Sequence, residues 1–84
     1  MGEYTGIEAW RLLKTAVVAE GDPMAEWWVK KLRAKVREKG LEFRLVVDGD
    51  GVGHLSAGSR IEDSTLHGGY GDAVVRLMSL LDRG

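Results

Sequence analysis

His54 and His67 are the only histidines in this 84-residue chain, and it has no cysteine. Disulfides and thiolate metal sites are therefore excluded. A zinc site would need both imidazoles together with carboxylates such as Asp48 or Asp63. Their spacing follows no ligand pattern, so no metal or other cofactor is expected. Asp48-Gly49-Asp50-Gly51 has the closely spaced carboxylates of a calcium loop. With Asp48 and Asp50 in the third and fifth positions, however, Val46 stands where the first acidic ligand belongs. Ala57 then stands where the bidentate glutamate belongs. With two ligands missing, the stretch reads as a hairpin turn.

Other candidate chemistry is equally sparse. His67-Gly68-Gly69-Tyr70-Gly71-Asp72 precedes a helical pattern, and backbone N–H groups in such a joint can hold an anion. The Lys-Ser/Thr pair of a P-loop is absent, and Asp72 would repel a phosphate. The His-Gly-Gly run is similar to part of a lipase oxyanion motif, yet no G-x-S-x-G occurs. Nucleophilic catalysis would require Ser56, Ser59 or Ser64 beside a histidine and a carboxylate. No spacing points to such a triad, so neither an enzyme nor a small-molecule substrate is expected.

One stretch stands above this background. From Pro23 to Gly40, six basic residues face Glu26 and Glu38, a balance of +4. The whole chain is −1, so the remainder carries −5. The stretch reads as a helix. Asp22 can accept a bond from the first turn, Pro23 suits the first helical position, and Gly40 suits a left-handed terminus. Leu41 can then fold back on Val36. At about 100° per residue, Met24, Ala25, Trp28, Val29, Leu32 and Val36 share the inward side. Trp27 points the other way, in a row with Lys30, Lys31 and Ala34, and Lys30, Arg33 and Arg37 run beside it. These six residues (Trp27, Lys30, Lys31, Arg33, Ala34 and Arg37) form the candidate contact surface. A solvated face is the ordinary explanation for such a row, but a tryptophan among arginines is the usual composition of a binding hot spot.

The elements that must position this surface can be read in order. Thr5-Gly6-Ile7-Glu8 matches a capping box, and a helix follows to about Glu20 with Ile7, Trp10, Leu13 and Val17 inward. Gly21 ends it, and so short a joint makes the two helices antiparallel neighbours. From Leu41 to Val47 the period changes to two, marking a half-buried strand. A three-residue loop, Gly49 to Gly51, sets Leu45 opposite Leu55 and Phe43 opposite Ala57 and keeps the apolar face continuous. Arg60 to Leu66 is a candidate third strand. Asp72 is placed as the cap of a final helix to about Asp82, with Val74, Leu77, Met78 and Leu81 inward. The expectation is one small α+β domain of order α-α-β-β-(β)-α. Its open sheet face would carry Glu42, Arg44 and Ser56, with His54 a further candidate.

From Pro23 on, the order helix, strands, helix is similar to that of double-stranded-RNA-binding domains. That family places lysines at the start of its last helix, and the matching positions here are Asp72, Ala73 and Val74. No apolar run approaches the roughly 20 residues that span a membrane, and no secretory leader is visible. A cytoplasmic protein is the resulting expectation. The chain contains neither Asn nor Gln, which fits a thermophile and equally a GC-rich genome. Two functions fit the basic helix. One is a protein-interaction module, most simply a homo-oligomer. The other is a nucleic-acid binder whose cations hold phosphates while Trp27 stacks on a base.

Overall fold

The computed structural model describes residues 2–63 and 69–83. The alternation of Phe43 and Leu45 with Arg44 becomes strand β2 (Phe43–Val47), with the two apolar residues buried and Arg44 exposed. It pairs with β3 (Gly53–Ala57) in the expected register, Leu45 opposite Leu55 and Phe43 opposite Ala57. The loop closes through Asp48 N–H to the Val52 carbonyl at 3.0 Å, and Gly51 takes φ +81. Glycine adopts that left-handed conformation without steric cost.

Two further strands complete an antiparallel sheet of order β1-β2-β3-β4. The third expected strand is present as β4 (Arg60–Asp63); its proposed continuation to Leu66 lies outside the described residues. Strand β1 (Gly2–Thr5), by contrast, has no counterpart in the pattern reading. It pairs along the free edge of β2, with Tyr4 opposite Leu45 and Thr5 opposite Arg44. The order is thus β-α-α-β-β-β-α, still an α+β fold.

Three helices cover one face of the sheet. Helices α1 (Gly6–Ala19) and α3 (Gly69–Arg83) pack on the strands, whereas α2 (Ala25–Glu38) packs mainly on α1 and α3. The core joins Leu13 and Val17 of α1, Val29 and Leu32 of α2, Leu45 and Leu55 of the sheet, and Val74 and Leu77 of α3.

Helix ends follow backbone geometry more than side-chain signatures. The expected capping box does not form: Thr5 makes no side-chain cap. It is held in β1, and the chain turns into α1 through Gly6 at φ +59. Asp22 does accept a bond, from Met24 N–H at 2.9 Å, but this closes a turn ahead of the helix, which begins at Ala25. The far end of α2 is as read. Gly40 at φ +66 donates to the Arg37 carbonyl and Leu41 to that of Val36, the two bonds of a Schellman motif.

Two inward assignments are corrected. Met24 is 48% exposed and Ile7 55% exposed. The buried arc of α1 is centred on Leu13, with Ala9 and Val17 on either side. Ile7 lies about a third of a turn round from that centre. Met24 precedes α2 and sits in the turn.

Candidate interaction surface

The buried arc of α2 runs through Ala25, Val29, Leu32 and Val36. Its two flanks differ. On the side toward α3, Trp28 is half-buried and Lys35 is ion-paired with Asp82 of that helix. On the side toward α1 lie Glu26, Arg33 and Arg37. Opposite the buried arc, on the outward side, Trp27, Lys31 and Ala34 are all exposed.

Trp27 is 46% exposed. Its ring meets Trp28 edge-on, with centroids 5.0 Å apart, and Lys31 Nζ stands 5.1 Å from its centroid. Such a cation–π contact in water contributes only about 0.5–1 kcal/mol and orients more than it stabilises. Lys30, Arg33, Ala34 and Arg37 border one shallow depression of about 280 Å³, with the small Ala34 as its floor. The six sequence-predicted residues therefore fall into two adjoining groups, Trp27 with Lys31 and the cationic depression beside them.

Among the described residues, no carboxylate lies within 4 Å of Lys30, Lys31, Arg33 or Arg37. The open sheet face is arranged differently. There Arg44 pairs with Glu3 at 2.8 Å and with Glu42 at 3.3 Å. His54 is bracketed by Asp48 and Asp63, at 3.0 and 2.5 Å. That face is electrostatically satisfied, and the helix face is not.

Pattern reading did not find the His54 cluster. Asp48 comes from the hairpin loop, and its other oxygen accepts the N–H groups of Asp50 and Val52. Asp63 lies directly across from His54 on β4. Both imidazole nitrogens face carboxylates, so neither is left to take a proton from Ser56. No group of three or more potential metal ligands is arranged to hold an ion among the described residues. Ser59 is exposed in the turn between β3 and β4; Ser64 and His67 lie outside the described residues.

The cluster makes stability pH-dependent. The hydrogen bond to Asp48, then that to Asp63, raises the His54 pKa above 6.5. The bond from His54, then that from Val52 N–H, lowers the Asp48 pKa below 3.8. A raised histidine contributes stability that is complete below 6.5 and lost as pH rises through its folded value. A depressed aspartate contributes stability that is present above 3.8 and lost as pH falls through its folded value. Urea midpoints should therefore hold below about pH 6 and decline as pH rises above 6.5, and His54→Gln should flatten that decline. An equal slope in the variant would show that other groups set it.

A carboxylate of the chain fills the N-terminus of the last helix, which the sequence reads as a connector and not as an anion site. Helix α3 starts at Gly69, ahead of the expected cap Asp72. Glu20, at the end of α1, accepts the N–H groups of Tyr70 and Gly71 at 2.7 and 2.9 Å. A carboxylate of the chain thus occupies the helix N-terminus, where an external anion would otherwise bind. The residue was not legible as a cap, because it precedes that helix by about 50 positions.

No family model matches the chain, and no curated protein or solved structure matches it. Among the described residues, no helix is long and apolar enough to cross a membrane.

Proposed function

We propose that this chain is a non-enzymatic protein-interaction module. It docks an acidic protein surface against the outward face of α2, most simply the acidic side of a second copy. The observation that carries this reading is Trp27, a large aromatic left 46% exposed beside cations that, among the described residues, have no carboxylate within 4 Å. Burying an indole of this kind contributes strongly to association, and Trp and Arg dominate binding hot spots. Two basic helices would repel one another. Self-association therefore sets α2 of one copy against acidic residues of the next, foremost Asp72, which has no cation within 4 Å among the described residues; Glu42 and Asp63 would first have to give up Arg44 and His54.

Sedimentation at micromolar concentration tests the reading. The native chain should show twice the monomer mass. Trp27→Ala should raise the dissociation constant about 30-fold, the equivalent of roughly 2 kcal/mol at a hot spot. Because Trp27 lies outside the core, its circular dichroism should not change. A variant that associates as tightly as the native chain would remove Trp27 from the contact.

The same cations of α2 also suit a second reading, nucleic-acid binding with Trp27 stacked on a base. The net charge of −1 is unfavourable to it. A gel shift that weakens steeply between low and moderate salt would favour this reading over the first.

A further inference from the structure

Next to the outward face of α2 runs a groove that the sequence pattern did not disclose. Two depressions of about 310 Å³ each meet at Ile7, Trp10 and Arg33. One lies between α1 and α2, and the other continues toward Leu41 and Phe43. Where the two depressions meet, the wall is aromatic. Trp10 stacks on Phe43 with centroids 3.9 Å apart and planes 16° apart, and the Arg33 guanidinium stands 5.9 Å from its ring. Ile7, 55% exposed, forms the outer lip. A lone exposed isoleucine is ordinary on any surface; one beside an aromatic wall in a concave channel provides an anchor point.

The rim is cationic. Arg11 and Lys14 approach from α1, and Lys30, Arg33 and Arg37 from α2. The acidic residues at the groove are already engaged, Glu26 with Lys14 at 3.6 Å and Glu42 with Arg44. Among the described residues, Arg11, Lys30, Arg33 and Arg37 have no carboxylate within 4 Å. An aromatic wall between these cations selects an occupant that is both apolar and acidic.

We infer that this groove binds an acidic peptide segment of a partner protein, seating one of its bulky apolar side chains over Ile7 and Trp10. Carboxylates on either side of that anchor meet Arg11 and Lys14 on one bank and Lys30, Arg33 and Arg37 on the other. This is helix-in-groove recognition with an acidic flank. The inference rests on the reading of α2 as a docking face, since it shares three of that face's cations.

The test uses the full chain and a fluorescein-labelled synthetic peptide of about 15 residues. Leucines recur in it at helical spacing, with Glu at most other positions. A control peptide of equal charge carries Ser in place of Leu. The leucine peptide should bind at least about tenfold more tightly than the control. Ile7→Glu should weaken its binding by about tenfold or more, and Ile7→Ser, which adds no charge, by less. Equal affinity for both peptides would overturn the inference, because the site would then be a charge trap only. So would an Ile7→Glu chain that is folded by circular dichroism and binds normally, or peptide binding abolished by an oligonucleotide at equal concentration. The broader reading fails separately. If Ile7→Glu changes nothing while Trp27→Ala disrupts association, the α2 face stands and the groove falls. If Trp27→Ala leaves association intact while Ile7→Glu abolishes peptide binding, the groove stands and the Trp27 contact falls.

Discussion

Leu32→Ala is expected to lower the free energy of unfolding by about 2–5 kcal/mol. Leu32 is fully buried, and it lies at the middle of the arc by which α2 is attached. Because α2 packs mainly on α1 and α3, its attachment rests on Ala25, Val29, Leu32 and Val36. The other three are small or β-branched side chains with little reach into a cavity, so the void would close poorly. A domain of this size has total stability on the order of 5–10 kcal/mol, so the loss is a large share of it. The measurement is a urea titration followed by tryptophan emission. A second prediction follows from the same packing. Leu32→Met, which nearly conserves volume, should cost less than about 1.5 kcal/mol. If Leu32→Ala were as mild as Leu32→Met, α2 would not be held by this arc. The docking face it presents would then lack a rigid base.

That base is also where the sequence was most legible. Four alternating residues and a glycine-rich turn fix the β2–β3 register, since only a three-residue loop keeps Leu45 across from Leu55. The Schellman end of α2 followed from Gly40 and Leu41 alone. Helical periodicity located the buried arcs but not their centres, which depend on where neighbouring helices lie. Hence Ile7 reads as inward and is exposed, whereas Met24 is exposed because the helix begins only after it. Strand β1 offered only one inward apolar side chain, Tyr4; its conformation is imposed by the free edge of β2.

The same division holds for the surface features. The row from Trp27 to Arg37 lies within one helix, so its composition could be read directly. The groove beside it is formed by two helices, and its lip is the isoleucine that periodicity placed in the core. The His54 cluster carried a usable signal. A two-residue turn at Gly58-Ser59 sets Asp63 across from His54, as observed. The Asp48 contact depends on the curl of the hairpin loop and had no linear signature.

Gly69→Ala is expected to destabilise the chain by about 1.5–4 kcal/mol, from two separable causes. The first is local. Gly69 has φ +65, a conformation costing an L-residue roughly 1–2 kcal/mol. The second is a collision. A Cβ at this position would collide with Oε2 of Glu20, the oxygen that accepts Tyr70 N–H. The carboxylate must move, which leaves the N-terminus of α3 uncapped, and loss of such a cap costs about 0.5–2 kcal/mol. Glu20→Ala alone should show the second cost without the first. A double-mutant cycle separates them, because the substituents are in direct contact and should not add. With Glu20 already removed, Gly69→Ala should cost only its backbone share, and the coupling should be about 1 kcal/mol. Full additivity would mean that Glu20 does not cap α3 in solution. The N-terminus of that helix would then be open to an external anion.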